Sequence, residues 1–275
     1  MKKLWLALWV CAALLPRAAA LSAAAAVTMD ADTGETLFAE NADSRLPMAS
    51  TTKIMTALVA LGEGGLDRVY TVKKQYAAVE GSSMYLEEGE RLTLRDTLYG
   101  LMLSSGNDAA AAVAGECGGE RAFVDKMNAK ARELGLTDTR FENPSGLPSD
   151  GHYTTARELA KITAAALRDP VFRDIVSTKT CTAAGRTLVN HNRLLSLYED
   201  AIGVKTGFTR AAGRCLVSAA ERNGRTVIAV TLNDPDDWND HIALLDDAFS
   251  RYSEVTLHYN QNIDYRERNC SGLHL

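Results

Sequence analysis

The stretch Pro47-Met48-Ala49-Ser50-Thr51-Thr52-Lys53-Ile54-Met55-Thr56-Ala57-Leu58 decides how the rest of the chain is read. Ile54, Leu58 and Leu61 recur at helical spacing, so the segment predicts a helix that begins near Ser50. On that helix Ser50 and Lys53 stand one turn apart and share a face. A serine hydroxyl is a weak nucleophile at neutral pH, so acyl transfer needs a base within hydrogen-bond reach. A lysine serves when burial or a nearby positive charge lowers its pKa. A serine at a helix start also lies among backbone N–H groups that lack intrahelical partners and can hold an oxyanion. Taken alone, the same residues fit a helix-capping serine followed by a solvated lysine.

Two later stretches favour chemistry. Ser104-Ser105-Gly106-Asn107 ends an apolar helix, and Val204-Lys205-Thr206-Gly207-Phe208-Thr209 is strand-like, so the chain carries SxxK, SxN and KTG in that order. Ser105-Gly106-Asn107 falls in a break between predicted helices, where Ser105 and Asn107 can point into a cleft and Gly106 permits an unusual backbone angle. By itself that stretch would be an ordinary helix junction with Asn107 as cap.

The 275 residues, 46% apolar and 24% charged, can bury one large core or two modest ones. Lys2 and Lys3 before an apolar run from Leu4 to Leu15, with Ala18-Ala19-Ala20 following, predict a signal peptide over residues 1–20 and an exported, extracytoplasmic protein. The net charge of −5 becomes more acidic without that leader, which contains only basic charges, and nothing suggests nucleic acid. Cys117, Cys181, Cys215 and Cys270 show no metal-like spacing and are expected as free, mostly buried thiols. The histidines form no HExxH-type cluster, so no metal or other cofactor is called for.

In chain order, Ala25–Asp30 and Glu35–Glu40 predict a hairpin, and Val69–Val72 a short strand. Glu80–Tyr85 predicts a loop. Helices are predicted over Thr93–Leu103, Asn107–Glu116, Gly119–Leu134 and Thr154–Leu167, forming a mostly helical subdomain at about residues 75–170. Strands return at Lys179–Ala183 and Arg186–Asn190, and again at Ile202–Thr206, Cys215–Ala220 and Thr226–Leu232 as an antiparallel meander. A last helix covers Asp237–Arg251. Strands at both ends with helices between them fit an α/β (α+β) fold in which the first hairpin joins the last strands.

The chain resembles the D-alanyl-D-alanine carboxypeptidases, the low-molecular-mass penicillin-binding proteins with a serine nucleophile and a lysine base. The likeness extends beyond the triplets to GSSMYLEEGE at 81–90, LTLRDTLYGLMLSSGNDAA at 92–110, FENPSGL at 141–147 and GVKTGFTRAAGRCLVSA at 203–219. It implies a β-lactamase/transpeptidase-like fold, an antiparallel sheet flanked by helices plus the helical subdomain, with the catalytic domain over 21–252. It also implies Ser50 as acylated nucleophile, Lys53 as general base and Ser105 as proton relay. Asn107, Lys205, Thr206, Gly207 and Thr209 would bind substrate, and the backbone N–H of Phe208 would share the oxyanion hole with that of Ser50. The implied substrate is the peptidoglycan stem peptide, with β-lactams as acylating inhibitors.

The family often adds a second β-rich domain and a C-terminal amphipathic helix. The tail 253–275 shows neither pattern, so no C-terminal membrane anchor is expected. One rival is a class A-like serine β-lactamase, which needs an ExxLN-type glutamate where this chain has Glu142-Asn143-Pro144-Ser145-Gly146. Another is a cell-wall binding protein with weak turnover. Outside the three motifs, Arg210 is close enough in sequence to the KTG strand to aid carboxylate binding. Ser82 and Ser83 are expected as loop serines, and Trp238 and His241 as packing and capping residues.

Overall fold

The computed structural model describes residues 21–251; the predicted leader at 1–20, the tail at 253–275 and Cys270 lie outside the described residues. The chain opens with the hairpin β1 (Ala25–Asp30) and β2 (Thr36–Glu40). A 3-10 turn over Ala49–Thr52 then leads into α1 (Lys53–Glu63). Thus the predicted helix begins as a tighter turn, and Lys53 is its first α-helical residue.

β3 (Val69–Thr71) and β4 (Arg91–Thr93) pair as a small ribbon around α2 (Lys74–Ala77) and the 80–90 loop. The helical layer follows as α3 (Leu94–Leu103), α4 (Asn107–Glu116), α5 (Glu120–Glu133), α6 (Ala156–Leu167) and α7 (Pro170–Ser177). Local chemistry sets several starts. Thr93 and Asp96 form a reciprocal capping box at α3, and Thr155 caps α6. Asp169 caps α7 with Pro170 in its first turn, an N-terminal signal that the sequence reading passed over.

After α7 come β5 (Thr180–Ala183), β6 (Arg186–Val189), α8 (Leu194–Leu197), β7 (Ala201–Thr209), β8 (Gly213–Arg222), β9 (Arg225–Leu232) and α9 (237–251). The main sheet is antiparallel with order β2-β1-β9-β8-β7, so the first hairpin does join the last strands. β5 and β6 form a ribbon of their own outside that sheet. Arg186 ties it to the 80–90 loop through Glu90 and the Tyr85 carbonyl.

Side-chain alternation along the strands separates two cores. Ile228, Val230 and Leu232 of β9 join the large core beneath α1 and α6, while Val227 and Ala229 pack with Leu244, Leu245 and Ala248 of α9. Covered on both faces, β9 is buried from Thr226 to Leu232. His241 of α9 is also buried. It lies between Ser218 at 2.5 Å and Thr231 at 2.9 Å, and burial lowers its pKa to about 3, so it is the packing residue expected. Cys117, Cys181 and Cys215 are free; only Cys181 is partly exposed. Among the described residues no helix is long and apolar enough to cross a membrane, and no cluster of potential ligands could hold a metal ion.

Candidate active site

The 3-10 turn at the head of α1 is tied by its own threonines. Thr51 Oγ1 donates to the Met48 carbonyl at 2.6 Å and Thr52 Oγ1 to the Ala49 carbonyl at 2.8 Å. Ala49 takes φ +47°, a left-handed conformation that a non-glycine residue adopts only at a cost of about 1–2 kcal/mol. Such strain concentrates where a backbone is held for function. Here it brings Ser50 to the mouth of a cavity of about 300 Å³.

Lys53 is fully buried, and its Nζ has three partners: Ser50 Oγ at 3.0 Å, Asn107 Oδ1 at 2.8 Å and the Ser145 carbonyl at 2.7 Å. Carbonyl oxygens only accept. A neutral amine has two N–H bonds and one lone pair, so giving its hydrogens to Asn107 and Ser145 leaves the lone pair facing the Ser50 hydroxyl. Burial, and then the positive charge of Lys205, lowers the Lys53 pKa well below that of a free lysine; Asp108 opposes the shift. The neutral, proton-accepting form is thus favoured by both charge and geometry.

Each acceptor is held by its own network. Asn107 Nδ2 donates to the Glu80 carbonyl at 2.7 Å, which fixes the amide with Oδ1 toward Lys53. Ser145 belongs to a turn organised by Asn143, whose Oδ1 accepts from the backbone N–H of Gly146 at 2.7 Å and of Ser145 at 3.2 Å. Gly146 has φ +88°, and a Cβ there would overlap the Ala49 carbonyl, so this turn lies directly on the one bearing Ser50. Buried His152 links the same two segments. Its Nδ1 accepts from the Glu142 N–H at 3.0 Å, which leaves Nε2–H to donate to Thr52 Oγ1 at 2.8 Å. Burial lowers the His152 pKa to about 4 and keeps the ring neutral.

Ser105 sits in the α3–α4 break with φ +58° and lines the cavity opposite Ser50. The unusual angle expected at Gly106 therefore belongs to Ser105, while Gly106 has an ordinary φ of −57°. The glycine is needed for space: a Cβ there would come within 2.6 Å of Asp108 Oδ1 and 3.1 Å of the Met84 amide nitrogen. Asp108 in turn accepts from Ser83 Oγ and from the backbone N–H groups of Met84, Leu86 and Ala109, which anchors the 80–86 loop over the site. Asn107 is not the helix cap, since its side chain is used by Lys53 and Glu80.

β7 is an edge strand, so alternate backbone N–H and C=O groups on its outer side have no strand partner. A Cβ on Gly207 would stand 3.1 Å from the Ser50 amide nitrogen, and that absent atom lets the edge approach Ser50. Lys205 is buried with its Nζ donating to the Thr206 carbonyl at 2.8 Å, and burial lowers its pKa to about 7. Thr206 and Phe208 line the cavity. Thr209 instead accepts from the Ala212 N–H at 3.0 Å and lines a neighbouring cavity of about 380 Å³ with Leu147, Pro148 and Tyr153.

The sequence reading missed part of the far wall. Arg210 is exposed near the β7–β8 turn, whereas Arg214, Asp237 and Trp238 line the cavity. Trp238 is thus a cleft residue rather than simple packing. The β7–β8 register places residue 214 opposite Phe208, a relation visible only once the hairpin turn is known. Ser82 also reaches the cavity.

Fold and site together, with a serine hydroxyl set against a buried lysine amine, have the form of a serine peptidase. A family model described as D-alanyl-D-alanine carboxypeptidase matches residues 12–236, and the chain belongs to that family of serine peptidases. The relatives include the D-alanyl-D-alanine carboxypeptidase DacF of Bacillus subtilis, 39% identical over 87% of this chain and 65% of its own length. A D-alanyl-D-alanine carboxypeptidase of Streptomyces sp. is 40% identical over 77% of this chain and 81% of its own. The crystal structure of the Streptomyces K15 DD-transpeptidase superposes with a TM-score of 0.79 at 38% identity, covering 84% of this chain and 98% of that one. That of a D-alanyl-D-alanine carboxypeptidase from Mycobacterium tuberculosis gives 0.80 at 35% identity, covering 83% of this chain and 91% of that one. The expected antiparallel sheet flanked by helices is thus the fold of the family.

Proposed function

We propose that the chain is a serine D,D-carboxypeptidase that removes the terminal D-alanine from peptidoglycan stem pentapeptides, works outside the cytoplasm after loss of a signal peptide, and is acylated by penicillins. The observation that carries this reading is the hydrogen bonding of Lys53, which leaves a buried amine only the Ser50 hydroxyl toward which to turn its lone pair. Residues 21–252 would form the catalytic domain.

Lys53 Nζ takes the proton from Ser50 Oγ as the oxygen adds to the carbonyl of the D-alanyl-D-alanine bond. The oxyanion is received by the backbone N–H groups of Ser50 and Phe208, worth about 3–4 kcal/mol per donor. Ser105 passes the proton on to the leaving amine, the C–N bond breaks, and D-alanine departs. Water then adds to the acyl-enzyme, with Lys53 again accepting its proton, and Ser50 is restored. Asn107 holds the substrate amide and Lys205 keeps Lys53 neutral. Thr206 and Gly207 line the strand along which the peptide lies as an added β-strand. Glu142, the residue where a class A-like enzyme would need its glutamate, is bound to Ser149 and to the Gly151 N–H.

The test is intact-protein mass after mixing with benzylpenicillin, with D-alanine release from a pentapeptide measured in parallel. A long-lived adduct and D-alanine release by the parent, both absent in Ser50→Ala, are the expected results. Absence of both in the parent would refute the proposal.

A further inference from the structure

A cavity of about 490 Å³ lies between the open end of the β5–β6 ribbon and α8, outside the Ser50 cleft. Lys179 and Thr180 line it from the ribbon, Arg193 and Ser196 from the α8 segment. Among the described residues none of these four side chains has a hydrogen-bond or ion-pair partner, and the lining contains no acidic residue. A single solvated cation on a surface is ordinary. Two cations and two hydroxyls without an acceptor in one concavity are a surplus of donors. In a chain of net charge −5 they make a local field opposite in sign to that of the whole.

The walls are held in place by groups that do not compete for a ligand. Asn190 Nδ2 donates to the Val176 and Thr178 carbonyls at 3.2 and 3.0 Å, and its Oδ1 accepts from the Asn192 N–H at 2.9 Å, which ties the end of β6 to the end of α7. The Arg193 guanidinium lies over the Trp238 ring, 5.9 Å from the centroid. That contact orients the fork and leaves its N–H groups unused. Two apolar side chains complete the lining: Val189 is 56% and Leu197 48% exposed.

We propose that this cavity binds a phosphate group carried on a carbon chain, as a phospholipid headgroup or a soluble phosphate ester presents it. A carboxylate has two oxygens to share among the donors, whereas a phosphate has enough to meet both cations and both hydroxyls at once. Lys179 and Arg193 neutralise its charge, Thr180 and Ser196 turn their hydroxyls toward it, and the carbon chain rests on Val189 and Leu197. Binding is felt at Trp238, because Arg193 lies against that ring and Trp238 also lines the Ser50 cleft.

Trp238 is the only tryptophan outside residues 1–20, so its fluorescence reports on the site once the leader is removed. The processed chain is titrated with hexyl phosphate and, separately, with vesicles of phosphatidylglycerol or of phosphatidylcholine. The parent is compared with Lys179→Gln/Ser196→Ala, which changes two exposed residues and leaves the Arg193–Trp238 contact in place. An unchanged urea midpoint checks that the variant is folded, and calorimetry of the same titrations detects binding that leaves Trp238 unmoved. The parent is expected to saturate with hexyl phosphate, less tightly as salt is raised, and the variant to bind at least about tenfold more weakly. A response of the parent to phosphatidylglycerol but not phosphatidylcholine vesicles, reduced in the variant, would assign the phosphate to a membrane surface. A response to hexyl phosphate alone would assign it to a soluble ester. No saturable binding of either hexyl phosphate or phosphatidylglycerol, or equal binding by parent and folded variant, overturns the proposal.

Discussion

Replacing Asn107 by Asp tests whether Lys53 works as a neutral base. The substitution preserves shape but puts a carboxylate where an amide oxygen now stands, 2.8 Å from Lys53 Nζ. At that distance a unit charge pair is worth about 6 kcal/mol at an effective dielectric of 20, and about 1.5 kcal/mol if screened as in bulk water. Converted at 1.36 kcal/mol per unit, this raises the Lys53 pKa by between roughly one and four units. The second-order rate of acylation by benzylpenicillin, followed by intact mass from pH 5 to 10, should keep a sloping acid limb displaced upward by that amount. At pH 7 the rate should fall by at least about tenfold and recover as pH rises. Asn107→Ala is the control. It removes the acceptor without adding charge, so it should lower the whole profile and leave the limb near its parental position. An Asn107→Asp limb less than about half a unit from the parent's would refute the view that Lys53 must be neutral to act.

Two further outcomes follow from the buried polar groups. Asp108→Ala leaves the backbone N–H groups of Met84 and Leu86 without their acceptor, so denaturant unfolding should show a loss of about 2–5 kcal/mol. The 80–86 loop should also become more open to proteolysis. His152 and His241, at about 4 and 3 in the folded protein against 6.5 for a free histidine, bind protons more readily when unfolded. The contribution of these two histidines to stability should therefore be full above pH 6.5 and fall as pH drops from 6.5 toward 4, by up to about 2.7 kcal/mol per unit for the two groups together. A His241→Gln variant, monitored by urea unfolding, should lose about half of that slope. An unchanged slope would show that His241 is not held neutral in the fold.

Local pattern determined much of this protein. Apolar residues at three- and four-residue intervals marked α1, α3, α4, α5, α6 and α9, because a helix buries one face whatever lies beneath it. Ser50 and Lys53 were legible as a pair for the same reason, since one helical turn sets their distance. The first hairpin and the β7–β9 meander were likewise visible in turn residues and strand-forming runs.

Tertiary structure decided the rest. The Ser145 carbonyl that holds Lys53 comes from 92 residues away, and the low pKa of that lysine is mainly a consequence of burial, which sequence spacing does not encode. Arg214 rather than Arg210 lines the cleft because Arg210 falls in the turn just after β7, while the β7–β8 register sets Arg214 opposite Phe208. Ser105 rather than Gly106 carries the left-handed angle, and Gly106 is required instead because Asp108 and Met84 leave no room for a Cβ there. The sequence by itself determined which groups could react. Packing determined their charge and the direction of their protons, since desolvation and hydrogen-bond partners exist only when distant segments meet.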